Sequence, residues 1–165
     1  MGKKSLSRIS SAACLIICLV LLPAVEAFAE KLLQTKFTSI HYAADADLGD
    51  FFWRITGQRF DVPEDAAPAK TRVDEIVLKV QSLLGMYPEA FKVDIALQAP
   101  QEKSDVALYS HKTRSVTAAP DRVTDGVLAH EIAHAVICAY FVDPPPEKTQ
   151  EILAQYVDRH LWGEI

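Results

Sequence analysis

Between Val127 and Ile137 the chain sets three ionisable side chains, His130, Glu131 and His134, into a run that is otherwise wholly apolar. Asp121 and Thr124, which follow Pro120, are helix-start signals, so the run is expected to be helical and largely buried. Burying three such groups is costly unless they are paired or bind a metal. A surface helix with two unrelated histidines would carry polar residues around them, and Ile132, Ala133, Val136 and Ile137 do not supply that. With about 100° per residue, His130 and His134 lie within about 40° of one another and one turn apart, so both imidazoles can reach one ion. Glu131 projects beside them, where it can meet a metal-activated water without being a ligand.

A catalytic zinc usually takes three protein ligands and keeps one position for water, so a third ligand is expected elsewhere. Asp143-Pro144-Pro145-Pro146 breaks the first helix, and Glu147 or Thr149 can open a second. In that helix Ile152, Leu153, Tyr156, Val157 and Leu161 read as the apolar stripe. Glu151, Ala154, Gln155 and Asp158 share one face, from which His160 points away. Glu151 is the expected third ligand. Ala154 would let the two helices approach closely, and Gln155 or Asp158 could orient a histidine ring.

His130-Glu131-Ile132-Ala133-His134 followed by Glu151-Ile152-Leu153-Ala154-Gln155-Tyr156 resembles the gluzincin branch of the zinc metallopeptidases, the thermolysin-like superfamily, in a small single-domain form. The likeness runs from Val127 to Asp158. It implies one Zn2+ held by His130, His134 and Glu151, with Glu131 as the catalytic general base and a peptide or protein as substrate. It also implies a zincin-like α+β fold: a small mixed sheet with an edge hairpin packed on the active-site helix, and a glutamate-bearing C-terminal helix. The family keeps an edge strand that pairs with extended substrate, a role that falls to Ser115 to Ala119. Two features depart from the family. Gln155 stands where an acidic residue often orients a histidine. The residue that stabilises the oxyanion has no obvious counterpart, the candidates being Tyr109, His111, Tyr140, Tyr156 and His160. A catalytically weak or inactive form acting as an extracytoplasmic binding module is therefore the competing expectation.

Upstream, Lys3, Lys4 and Arg8 precede an apolar run from Ala12 to Val25, and Ala27-Phe28-Ala29 offers small residues for a signal peptidase. Residues 1–29 thus read as a cleavable export signal and 30–165 as the metallopeptidase domain, in a periplasmic or secreted setting. Pro23 interrupts the run, which argues against an uncleaved anchor, and no stable membrane span is expected after cleavage. Cys14 and Cys18 raise lipidation, but Cys14 comes too early in the run and Ile17 is too bulky before Cys18. Cleavage removes three of 17 basic and one of 22 acidic side chains, moving the net charge from -5 to -7. That balance excludes a basic nucleic-acid footprint. Cys138 would be the one cysteine left, so no internal disulfide is possible, and its apolar setting suggests a buried small hydrophobe rather than a metal ligand. Oligomeric state is not legible.

The remaining elements follow from periodicity. Lys36 to Tyr42 alternates as a strand. Asp45 or Asp47 should cap a short helix, an easier reading than a calcium loop because no glutamate closes the acidic cluster. Phe51, Phe52 and Trp53 are expected in the core. Val62 to Pro68 reads as a loop, and a helix from Lys70 should stop at Gly85. Phe91 to Leu97 is a second strand, and Asp105 to Ser110 with Ser115 to Ala119 form a hairpin around His111-Lys112-Thr113-Arg114.

Overall fold

The computed structural model describes residues 30–61, 66–98 and 105–163. Residues 1–29, where the export signal is expected and which include Cys14 and Cys18, and Val62 to Asp65 of the expected loop lie outside them. The chain order is β1 (Lys31–Gln34), β2 (Thr38–Tyr42), α1 (Asp45–Thr56), α2 (Ala67–Leu84), β3 (Val93–Leu97), β4 (Ala107–Ser110), β5 (Ser115–Ala118), α3 (Asp125–Tyr140) and α4 (Glu147–His160). The architecture is α+β: a five-stranded mixed sheet and four helices. None of the described helices is long and apolar enough to cross a membrane.

The strand order is β1-β2-β3-β5-β4. β2, β3 and β5 run parallel, with Ile40 beside Ile95 and Ile95 beside Val116, while β1 and β4 flank them antiparallel. Thr38, Ile40, Tyr42, Val93, Ile95, Leu97 and Val116 face the helices and are buried; the alternate positions are wetter, as period-two side chains require. The hairpin is present, but β5 lies between β3 and β4. The expected edge role of Ser115 to Ala119 is therefore incorrect: the open edge beside α3 is β4. β1 carries no alternating signal, because only Leu33 of its four residues is buried.

Asp74 of α2 fastens the β1–β2 turn. Its Oδ1 accepts from Thr35 Oγ1 (2.6 Å) and Phe37 N (3.1 Å), and its Oδ2 accepts from Lys36 N (3.2 Å). Asp74→Ala leaves these donors unmet and is expected to cost about 2 kcal/mol, read by urea denaturation.

Local expectations fare unevenly. Ala44, not an aspartate, caps α1, with Asp45 and Asp47 in its first turn and Asp47 Oδ2 accepting from Ala44 N at 3.3 Å. Phe51 and Phe52 are fully buried, but Trp53 is 40% exposed, a correction explained by Arg54 and Arg59, whose guanidinium groups lie 5.8 and 5.2 Å from its ring. α2 begins at Ala67 rather than Lys70, because Pro68 is tolerated in a first turn. It ends as expected at Gly85, whose φ of 63° lets Met86 N reach Gln81 O.

α3 is the central helix. Thr124 is extended and its Oγ1 accepts from Val127 N (3.3 Å), which starts the helix. Leu128, Ala129, Ile132, Ala133, Val136 and Ile137 have no exposed surface, since α2, α4 and the β4–β5 hairpin cover α3 on three sides.

Candidate metal centre

The half-buried strip of α3 that faces α4 and β4 carries His130, Glu131 and His134. Asp143-Pro144-Pro145-Pro146 forces the reversal, and α4 starts at Glu147 with Thr149 N and Gln150 N bonding to Pro146 O. The buried stripe of α4 is Gln150, Ala154, Val157 and Leu161; Ile152 (60% exposed) and Tyr156 (40%) face solvent, which corrects the stripe read from sequence. Ala154 has no exposed surface and lets the helices close. Ala154→Leu overpacks this contact and is expected to cost about 1–3 kcal/mol and to weaken metal binding, measured by thermal denaturation and metal titration.

This packing brings His130, His134 and Glu151 together as one group able to hold a metal ion. His130 Nε2 and His134 Nε2 are 3.4 Å apart, and Glu151 Oε2 lies 3.5 Å from the first and 3.6 Å from the second. Donors about 2.1 Å from a tetrahedral ion stand about 3.4 Å apart, so this near-equilateral triangle fits one face of such a site. The imidazole side chains are 20% and 12% exposed and the Glu151 side chain 45%, so the group opens to solvent past the carboxylate.

The surroundings favour the ligand forms of these groups. Burial, aided by the neighbouring His130, pushes the His134 pKa down and keeps its ring neutral. A hydrogen bond from Gln155 Nε2 to Glu151 Oε1 (2.9 Å) lowers the Glu151 pKa and turns Oε2 to the histidines. Gln155 thus steadies the Glu151 carboxylate instead of a histidine, and Asp158 lies against Gly126 on α3. His134 Nδ1 is buried without a well-formed hydrogen bond; the amide that acts on it is Gln150, 4% exposed, whose Nε2 donates to Pro145 O (2.8 Å). Gln150 is not among the sequence expectations, although a glutamine on the buried stripe just before Glu151 is a visible signal.

Glu131 faces the sheet edge. Ala119 N donates to Val106 O (2.8 Å) and Leu108 pairs with Thr117, so alternation turns the backbones of Ala107 and Tyr109 away from β5. Tyr109 N donates to Glu131 Oε2 at 2.6 Å. Burial raises the Glu131 pKa, against the lowering effect of that N–H and of His130, leaving a carboxylate with increased affinity for a proton.

No protein-family model, curated protein or solved structure matches this chain. The reading of the site therefore rests on its geometry.

Two of the oxyanion candidates, Tyr109 and His111, lie near His134. Tyr109 stacks on His134 (centroids 6.4 Å, 6° between planes), but its hydroxyl interacts with Cys138 and burial pushes its pKa up to about 12. Tyr156 stacks on His160, and His111 Nδ1 is 3.2 Å from Cys138 Sγ. Cys138 is half-buried rather than buried.

Proposed function

We propose that this protein is an exported zinc-dependent peptidase of gluzincin type. The observation that carries the reading is the triangle of His130 Nε2, His134 Nε2 and Glu151 Oε2 beside a carboxylate held by the edge strand. His130, His134 and Glu151 would hold Zn2+. When bound, zinc supplies Lewis acidity to the attacking water and the scissile carbonyl. Glu131 takes the proton of that water and delivers it to the leaving amine. The Tyr109 N–H orients Glu131 by engaging one of its oxygens, and the outward backbone of Ala107, one pleat earlier on β4, offers an extended peptide a place to pair. The test is cleavage of a peptide library by the mature protein. Cleavage should disappear with chelator and return with Zn2+; activity indifferent to chelator would refute the reading.

The second reading is a catalytically inert binding module of the same fold. It draws on the oxyanion candidates, since the Tyr109 hydroxyl interacts with Cys138 and Tyr140 is 49% exposed. A zinc-loaded protein that cleaves no library member would favour it.

A further inference from the structure

Beyond Tyr109, the hairpin turn and the end of α3 enclose a depression of about 460 Å3 lined by Tyr109, His111, Arg114, Cys138, Phe141 and Pro144. A smaller hollow of about 160 Å3 shares Tyr109, Arg114 and Cys138 with it and is bounded by Ala90 and Lys92. Tyr109 connects these hollows to the triad, its N–H on Glu131 and its ring on His134.

The charge here runs against that of the whole chain, which is -5. Lys92, Lys112 and Arg114 are exposed around the turn, and among the described residues none of them forms an ion pair. Glu89 is the one acidic side chain lining either hollow. Arg114 and Ala90 are also the two described non-glycine residues with positive φ, 55° and 50°, and both border the smaller hollow. A left-handed residue with a Cβ costs on the order of 1 kcal/mol, so the turn keeps an arginine where glycine would be cheaper.

A guanidinium fork matches a planar carboxylate through two parallel hydrogen bonds. Glu89 at the rim and the acidic chain around it disfavour a dianionic phosphate more than a singly charged carboxylate. We propose that Arg114 forms a subsite for a carboxylate of the peptide substrate, adjoining the metal centre at Tyr109. The proposal rests on the peptidase reading for the identity of the ligand as a peptide. The carboxylate can belong to an Asp or Glu side chain or to the peptide's C-terminus.

The test uses zinc-loaded Glu131→Gln protein, so that binding is read apart from cleavage. Fluorescent peptides are compared in pairs: Glu against Gln at each position, and free against amidated C-terminus. Fluorescence anisotropy should show about fivefold tighter binding for the carboxylate member of one pair, the scale of one partly exposed ion pair, and less at high salt. The pair that responds identifies the source. Arg114→Gln should remove the difference and leave the neutral peptide's Kd unchanged, and Arg114→Lys should retain part of it. Equal affinities, a preference that survives Arg114→Gln, or tighter binding of a phosphoserine peptide would overturn the subsite. Carboxylate-selective binding by a protein that, with Glu131 intact, cleaves none of the peptides would uphold the subsite and overturn the peptidase reading.

Discussion

Glu131→Gln is expected to lower kcat/KM for peptide hydrolysis by about a thousandfold while zinc stays bound at one ion per chain. The amide keeps the shape of the carboxylate, and its carbonyl oxygen can still accept from Tyr109 N, so β4 and α3 stay in contact. What disappears is the proton acceptor, whose affinity for a proton is increased by burial in the parent protein. The donor atoms of His130, His134 and Glu151 are untouched by the exchange. A fluorogenic peptide assay and elemental analysis on one preparation separate the two effects. Full activity would remove Glu131 from the mechanism, and loss of zinc would mean that it is a ligand.

The sequence was most legible where local chemistry decides the outcome. His130 and His134 share a face because helical spacing leaves no alternative, and Thr124 and Gly85 terminate helices through their own side chain or φ. The approach of Glu151 to the two histidines was legible because the proline run forces α4 back along α3 and Ala154 permits close packing. What failed depends on contacts distant in sequence. Nothing local says that β5 inserts between β3 and β4, so the wrong strand of the hairpin was assigned the open edge. The α4 stripe was displaced because an amphipathic helix rich in apolar residues can rotate by one position, and the choice is made by α3, which takes Gln150 and Ala154 and leaves Ile152 and Tyr156 in solvent. Trp53 illustrates the same limit, since two arginines on its ring replace a place in the core. The contact between Tyr109 N and Glu131 had no sequence signal, because the donor is backbone.

Zinc is expected to raise the thermal midpoint by about 10 °C, and Glu151→Ala to remove most of that gain. The three donors lie on two helices that meet only in the folded protein, so the ion binds the native state in strong preference to the unfolded chain. Free zinc at about a thousandfold over its Kd then contributes about 4 kcal/mol, and for a domain of this size each kcal/mol shifts the midpoint by about 2–4 °C. Glu151 supplies the only donor from α4, so its loss leaves two imidazoles on α3 and unties the helices. In the absence of metal the same substitution should be nearly neutral, because the carboxylate is 45% exposed and its contacts to Gln155 and the rings are replaceable by water. Scanning calorimetry of parent and variant, each with zinc and with chelator, therefore isolates the coupling. Parent and variant should diverge only with metal present, and an equal zinc-induced shift in both would eliminate Glu151 as the third ligand.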